Sequence, residues 1–349
     1  MSVPIEINSQ YLTDQLITLV NIPSPTGFTL HAIEYAEKTF TELGLQPQKT
    51  QKGSLIATIE GEREDRPRAI TAHIDTLGTM VKEIKSNGRL RLSKIGNFAW
   101  NTVEGECCTI FTKTGDKFRG SMLITKASAH VHGAEVGKLD RSGENMEVRI
   151  DERTTSETET RDLGIDVGDF VVFDPRSVVT PTGFIRSRHL DDKTGVACIM
   201  ASVHAMKNYM ISPKQRTTLH ISNYEEVGHG AAAGLPTDLC ELVAVDMAAV
   251  GQGQASDEFH ISICAKDSGG PYHFELTRRM QKLAESADIP FKTDVYPHYR
   301  SDGETYWRAG GDVQVALIGP GVDASHNYER THIESLIATS QLIIEYLRD

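Results

Sequence analysis

The chain has 349 residues, a formal net charge of −12, 39% hydrophobic residues and 24% charged residues. Its length predicts more than one average domain but fewer than three, with enough apolar side chains for a core that needs no crosslinks. The acidic balance argues against nucleic acid and against an anionic membrane as a partner. No apolar run approaches the roughly 18 residues of a membrane span, and the first residues lack the pattern of a secretory signal.

The number and surroundings of the five cysteines indicate the redox state of the compartment in which the protein works. Their number is odd, no Cys-x-x-Cys pair occurs, and most stand in apolar surroundings: Cys107, Cys108, Cys198, Cys240 and Cys264. This pattern is typical of reduced, mostly buried thiols, because disulfides are rare in reducing compartments. We therefore expect a cytoplasmic protein.

The first third of the chain predicts alternating helices and strands. Apolar residues recur at helical spacing over residues 9–22, and again in a second helix that we expect to end at Gly44. Two apolar runs then predict strands at residues 54–59 and 68–74. The second strand leads into the sequence Ala72-His-Ile-Asp75.

The sequence pattern is different between residues 79 and 179. Short alternating runs are separated by glycines, we find no convincing helix, and the polar stretch 151–162 predicts an exposed loop. Many short strands with regular turn signals favour a small β-barrel or sandwich. Helices and apolar strands return after residue 183. The sequence therefore predicts an α/β domain, residues 1–78 and 180–349, interrupted by a β-rich domain, residues 79–179.

Side chains that can carry chemistry stand where predicted strands end. His73 and Asp75 follow one strand, Glu225 and Glu226 follow another, and Asp246 follows a third. Similar positions, at a helix start or after a turn, are held by Asp191, Asp192 and His326. Because ligands of open α/β sheets bind beyond the carboxyl ends of the strands, these side chains are expected to meet.

Taken singly, most of these residues have a structural explanation. Asp192 could cap the helix that follows it, and Glu225 and Glu226 could lie in a solvated loop. Asp246 is harder to explain in this way, because it follows the apolar run Leu-Val-Ala-Val and a buried carboxylate needs a partner. The combination favours a functional site.

Two imidazoles among several carboxylates favour zinc or another borderline divalent metal over calcium or magnesium. Five protein ligands, one of them bridging, predict two metals about 3.5–4 Å apart. A further glutamate beside such metals could act as a general base on a water molecule.

Five motifs in order resemble the tetrahedral aminopeptidases, which are glutamyl-aminopeptidase-like dinuclear metallopeptidases. The motifs are Ala72-His-Ile-Asp75, Leu190-Asp-Asp-Lys-Thr-Gly195, Tyr224-Glu-Glu-Val-Gly228, Val245-Asp246 and Ser325-His-Asn-Tyr-Glu329. The resemblance covers nearly the whole chain. It implies a zinc-exopeptidase-like α/β/α sandwich with an inserted small β-barrel that serves dimerisation.

The resemblance also implies roles for single residues. Asp191 would bridge two metals, Glu225 would be the general base, and Asp75 would accept a hydrogen bond from His73 and so orient its ring. The peptide bond between Asp191 and Asp192 is expected to be cis. The remaining metal ligands would be, in a pairing left open, His73, Glu226, Asp246 and His326.

The implied activity is removal of N-terminal residues from short peptides with a free amino terminus, by attack of a water that bridges two metals. Zinc is the first expectation for these two divalent ions per subunit, with cobalt or manganese as alternatives. The family commonly forms homo-oligomers, tetrahedral shells of twelve subunits. The sequence departs from the family pattern at Thr76 and over residues 299–304, so a glutamyl preference does not follow. Arg300 or Arg330 could receive an acidic side chain, or either could be a surface arginine.

Two other functions compete with this interpretation. An N-acyl amino acid deacylase or carboxypeptidase could use the same scaffold, although such enzymes usually carry a lid with helices rather than a strand-rich insertion. A metal-stabilised assembly protein without catalysis is the second, and the presence of Glu225 argues against it. Glycoside hydrolysis has no support among these residues.

Overall fold

The computed structural model describes residues 5–349, and these form two compact units. The larger unit comprises the chain up to Asp75 together with Arg176–Asp349, and the smaller unit is Thr76–Pro175. The smaller unit is therefore an insertion into the larger one. The predicted junctions at residues 78/79 and 179/180 lie within a few residues of these boundaries.

Nine α-helices occur within residues 5–349, three of them short ones in the smaller unit. They are α1 (Ser9–Asn21), α2 (Leu30–Glu42), α3 (Ala129–His132), α4 (Glu135–Lys138), α5 (Glu157–Asp162), α6 (Leu190–Asn208), α7 (Phe274–Ser286), α8 (Asp302–Arg308) and α9 (Ile333–Arg348). Single 3₁₀ turns lie at Trp100–Val103, Glu225–Val227 and Gly230–Ala232.

The strands of the described residues fall into two sheets. They are β1 (Gln48–Lys49), β2 (Leu55–Ile59), β3 (Arg63–His73), β4 (Gly78–Ile84), β5 (Leu90–Ile95), β6 (Cys107–Phe111), β7 (Lys117–Ile124), β8 (Met146–Ile150), β9 (Phe170–Phe173), β10 (Val178–Val179), β11 (Phe184–Ser187), β12 (Gln215–Ser222), β13 (Glu241–Val245), β14 (Ala248–Val250), β15 (Ile261–Asp267), β16 (Gly270–Pro271), β17 (Phe291–Val295), β18 (Gln314–Asp323) and β19 (Glu329–His332).

The larger unit is built on a mixed sheet whose main path runs β1-β2-β12-β3-β13-β18-β19-β11-β10, with β14 to β17 branching from β18. The four neighbouring strands β12, β3, β13 and β18 are parallel. Their carboxyl ends therefore meet at one edge of the sheet, the position where α/β proteins bind ligands.

Both faces of this sheet are buried, as β13 demonstrates. Val243 and Val245 pack into the large core that includes α1, α6 and α9, while Leu242 and Ala244 pack into a second core on the other face. Successive strand residues point to opposite faces, so a strand covered on both sides must be apolar throughout. The predicted α/β fold is confirmed.

The smaller unit is a closed barrel of six antiparallel strands in the order β4-β5-β8-β7-β6-β9. Alternate residues such as Cys108, Ile110, Met122 and Val148 fill its interior. The predicted β-barrel is therefore confirmed, but the expectation that this segment has no helix is wrong.

Helix α5 occupies part of the stretch predicted as an exposed loop. It begins after Ser156, whose side chain accepts a hydrogen bond from the Glu159 backbone N–H. A serine followed three residues later by glutamate is the signature of a helix start, and it is present in the sequence. The stretch was predicted as a loop because residues 151–162 are mostly charged or polar.

All five cysteines are free thiols, as expected. Cys108, Cys198 and Cys264 are buried, and Cys107 is exposed. Over residues 5–349, every helix is too short or too polar to cross a membrane.

Candidate metal centre

The predicted site residues meet because the elements that carry them end at the same edge of the sheet. His73 is the last residue of β3, and Asp246 follows the adjacent parallel strand β13. Glu225 and Glu226 form a 3₁₀ turn after β12, which pairs with β3 on its other side. Asp191 lies in the first turn of α6.

One group of possible metal ligands consists of His73, Asp192 and Asp246, all buried, with ligand atoms within 4.8 Å of one another. Nε2 of His73 lies 3.9 Å from Oδ1 of Asp246. The oxygens of Asp192 also have backbone partners, since Oδ1 accepts from the Gly195 N–H and Oδ2 from the His73 N–H. Asp192 therefore supports the start of α6 as well.

A second group consists of Asp191, Glu226 and His326, again within 4.8 Å. Nε2 of His326 is 3.3 Å from Oδ2 of Asp191 and 3.6 Å from Oε2 of Glu226. Asp191 also reaches the first group, because its Oδ1 lies 3.1 Å from Nε2 of His73. The structure thus brings all five predicted ligands together, and Asp191 of the second group also contacts His73 of the first. The peptide bond between Asp191 and Asp192 is cis, as the resemblance implied.

The donor atoms of these groups fit divalent cations. Among residues 5–349, Oε1 of Glu226 and Oδ1 of Asp246 are buried without a hydrogen-bond partner. Burial, together with repulsion from Asp191, raises the pKa of Glu226 to about 8 and that of Asp246 to about 7. Uncompensated carboxylates in such surroundings are costly, and nitrogen and oxygen donors of this kind suit zinc.

The electrostatics of Asp191 differ from those of its neighbours. Burial alone would raise the pKa of this carboxyl, but hydrogen bonding to His326 and His73 lowers it below the ordinary value. These hydrogen bonds favour the charged form of Asp191. A carboxylate whose charged form is favoured, between two imidazoles, is suited to hold two cations at once.

Asp75 contacts the site differently from the prediction. Nδ1 of His73 lies 2.9 Å from the backbone carbonyl oxygen of Asp75, and its carboxylate Oδ1 is farther away, at 3.7 Å. The carboxylate instead accepts from the Thr26 hydroxyl at 2.6 Å and from the backbone N–H groups of Glu225 and Glu226. Its carboxylate thus positions the turn that carries both glutamates.

Glu225 lies beside the two groups without belonging to either. Its Oε2 is 3.8 Å from Nε2 of His73. Burial raises its pKa well above the ordinary value, and the charge of Asp246 adds to this rise. A carboxylate with a raised pKa next to a cluster of possible ligands is suited to accept a proton.

Glu329, the last residue of the motif Ser325-His-Asn-Tyr-Glu329, supports the site without a predicted role of its own. Its Oε2 accepts from the backbone N–H groups of Leu190 and Asp191, at 2.5 and 3.4 Å, and its Oε1 accepts from the His326 N–H at 3.2 Å. One buried carboxylate thereby fixes the backbone on both sides of the second group. Its position three residues after His326 was the only available signal.

A cavity of about 510 Å³ opens beside these residues. Glu225, Asp246 and His326 line it, together with Met247, Tyr299 and other residues. Arg300 also lines the cavity. Arg330 instead bonds the carboxylate of Glu258 through two guanidinium nitrogens, each at 2.7 Å. Of the two arginines considered for an acidic side chain, Arg300 is the one at the cavity.

An α/β unit with an inserted barrel is the architecture of TET aminopeptidase structures, which this chain matches over nearly its whole length. The sequence pattern of the M42 glutamyl aminopeptidase family matches residues 53–342. The chain belongs to this family, whose function is aminopeptidase activity.

Individual relatives agree with this assignment. The protein named "Putative aminopeptidase YhfE" from Bacillus subtilis (strain 168) is 47% identical over 330 residues, which is 95% of each chain. A TET aminopeptidase structure from the archaeon Thaumarchaeota archaeon SCGC AB-539-E09 superimposes with a TM-score of 0.87 at 18% identity, covering 97% of this chain and 96% of the other. The Pyrococcus horikoshii TET1 peptidase superimposes with a TM-score of 0.84 at 21% identity, covering 97% and 99%. These two structures are similar in fold.

Proposed function

We propose that this protein is a metal-dependent aminopeptidase that holds two divalent cations and removes N-terminal residues from short peptides. The observation that carries the proposal is the pair of ligand groups, joined by the contact between Asp191 of one and His73 of the other, beside a cavity that Glu225 also lines. A lone cluster of acids would be an ordinary surface feature. Two neighbouring ligand groups, with a carboxylate placed to reach both and a separate glutamate beside them, suit a dinuclear hydrolase.

The ligand geometry supports one assignment of residues to the two cations. His73 and Asp246 would hold one, Glu226 and His326 the other, and Asp191 both. Zinc suits the imidazole and carboxylate donors best, and cobalt or manganese could replace it. When bound, two such cations make a water molecule more acidic and polarise a carbonyl group.

The proton transfers fall to Glu225. It takes a proton from the attacking water and later gives it to the nitrogen of the departing peptide, so it returns to its starting state. Its position beside both ligand groups, with membership in neither, favours this role. Asp75 keeps Glu225 in place through the backbone hydrogen bond described above.

The β-barrel is proposed as the oligomerisation domain of a homo-oligomer, with a tetrahedral shell of twelve subunits as its form. The support is that the Pyrococcus horikoshii TET1 peptidase, similar in fold, can assemble into a tetrahedron or a large octahedral shell. Light scattering coupled to size-exclusion chromatography tests this, since a monomeric protein would contradict it. The free thiols favour the cytoplasm as its location.

The decisive experiment compares substrates and metals on the same preparation. The protein is stripped with a chelator, reloaded with Zn²⁺, Co²⁺ or Mn²⁺, and assayed on aminoacyl nitroanilides and short peptides, each with a free or an acetylated amino terminus. Cleavage of the free forms alone, lost on stripping and restored by metal, is expected. Cleavage of the acetylated forms instead would favour the deacylase or carboxypeptidase, and no cleavage in any metal form would favour the assembly protein.

A further inference from the structure

Tyr299 lies in the loop between β17 and α8, and it is held from two directions. Its carbonyl oxygen accepts hydrogen bonds from the backbone N–H and the hydroxyl of Ser268, at 3.0 and 2.7 Å. Its ring packs against that of Tyr296, with the ring centres 5.2 Å apart. The side chain is therefore positioned before any ligand enters the cavity that it lines.

The hydroxyl of Tyr299 is buried and has no hydrogen-bond partner among residues 5–349. Other buried tyrosines of the same unit do have partners: Tyr272 bonds Asp267, Tyr296 bonds Ser256, and Tyr346 bonds Glu241. Buried tyrosine hydroxyls are normally paired, so an exception at the edge of a cleft calls for a partner that enters from outside.

The neighbourhood of this hydroxyl identifies the kind of partner. One possible acceptor is near it, the carboxylate of Asp246, whose pKa an interaction with the Tyr299 hydroxyl lowers, although the two groups do not reach hydrogen-bond geometry. Cations would account for the unpartnered oxygens of Glu226 and Asp246, because cations bind oxygen lone pairs. A carboxylate that holds a cation is a weaker acceptor for the O–H proton of Tyr299, because the cation offsets its negative charge. An acceptor oxygen of a substrate in the cavity would complete the hydrogen bonding of this hydroxyl.

We propose that Tyr299 is a catalytic residue whose hydroxyl donates a hydrogen bond to the carbonyl oxygen of the scissile peptide. This inference rests on the proposed aminopeptidase function. As water adds to the carbonyl carbon, the C=O π pair moves to that oxygen, which becomes negative, and the hydrogen bond from Tyr299 strengthens. Tyr299 keeps its proton throughout. It stands in the stretch 299–304, where the sequence departs from the family pattern.

The test is Tyr299→Phe in the metal-loaded protein, which removes the hydroxyl and keeps the ring that packs on Tyr296. The matched control is Tyr306→Phe, on the neighbouring helix α8, whose hydroxyl makes only a long 3.4 Å bond to the Pro236 carbonyl. For a lost oxyanion donor, kcat is expected to fall on the order of 10²-fold, with KM little changed. The control is expected to keep the wild-type kcat.

Two further measurements separate catalysis from support of the metal site. An α-aminophosphinate, which mimics the tetrahedral oxyanion, is expected to bind Tyr299→Phe at least about tenfold more weakly, while a product amino acid binds as before. The affinity for Co²⁺, followed by its visible absorption, is expected to stay at the wild-type value.

The possible outcomes are distinct. A wild-type kcat in Tyr299→Phe would overturn the proposal, and so would a fall in kcat that a lost Co²⁺ affinity explains, because Tyr299 would then only position Asp246. If the wild-type protein itself cleaves no free-amine substrate, the proposed function fails and this inference fails with it.

Discussion

His73 and His326 approach opposite oxygens of one carboxylate, that of Asp191, with their Nε2 atoms 3.1 Å from Oδ1 and 3.3 Å from Oδ2. This relationship makes Asp191 the residue that both proposed cations share. Asp191→Asn removes its charge and one of its acceptor oxygens. We expect the metal content to drop from two ions to at most one per chain. Activity is expected to fall by more than the loss of about 10- to 100-fold that is typical when a residue bonding a metal ligand is replaced.

Elemental analysis after dialysis measures this change directly. Asp312→Asn is the matched control, because Asp312 is exposed and lies outside both ligand groups. An Asp191→Asn protein that still retains two ions per chain would show that Asp191 does not bridge them.

Glu225→Gln tests the proposed general base. The amide cannot take a proton from water, so kcat is expected to fall about 10²- to 10⁴-fold. Metal content is expected to stay the same, because Glu225 belongs to neither ligand group. Glu226→Gln, one residue further along the same turn, is the comparison, and it is expected to lose metal as well as activity. Equal metal loss in both variants would mean that Glu225 also binds metal and is not a separate general base.

The sequence located the candidate site well for a physical reason. Polar residues that interrupt or follow apolar strands, such as His73 and Asp246, stand out against their surroundings, and parallel strands bring such ends together. The same reasoning predicted helices and strands of strong periodicity, and β13 (Glu241–Val245) contains the apolar run Leu-Val-Ala-Val that precedes Asp246.

Contacts that depend on tertiary folding had no such signal. Glu329 bonds the backbone at Leu190, more than a hundred residues away in sequence, and only its position three residues after His326 marks it. The Tyr299 hydroxyl reaches the cleft only because of the loop between β17 and α8, which periodicity does not predict. The carboxylate of Asp75 was assigned to His73 and instead bonds Thr26 and the turn after β12, because burial decides which donors come within reach.

The stability of the metal-free protein is expected to fall as pH rises. Burial raises the pKa of Glu226 and Glu329 from 4.5 to about 8, and that of Asp246 from 3.8 to about 7. In the window from about pH 4 to 8 the folded chain keeps protons that the unfolded chain has released. The free energy of unfolding therefore decreases with pH across this window.

Bound cations should weaken this dependence, because they hold the ligand carboxylates in the charged form and displace their protons. Urea unfolding of metal-free and metal-loaded protein, at pH values on both sides of the window, measures the difference between the two slopes. Identical slopes in the two forms would mean that these carboxyls do not bind the metal.

Gly319→Ala tests how closely the strand beside the site supports Asp246. A Cβ atom at Gly319, in β18, would lie 1.7 Å from the backbone oxygen of Asp246. The Asp246 N–H also donates to the carbonyl of Ile318, so the two strands cannot separate without breaking this bond. We expect the added methyl group to lower the free energy of unfolding by at least about 1–3 kcal/mol. Because the displaced backbone carries the Asp246 carboxylate, metal affinity should fall too.

Gly251→Ala is the matched control, since a Cβ atom there would meet nothing within 4 Å. Urea unfolding and metal content are measured for both variants. If Gly319→Ala loses stability but keeps its full metal affinity, the close approach of Gly319 to the Asp246 backbone is not needed to position the Asp246 carboxylate. Wild-type values of both would mean that the two strands can move apart at this point without disturbing the site.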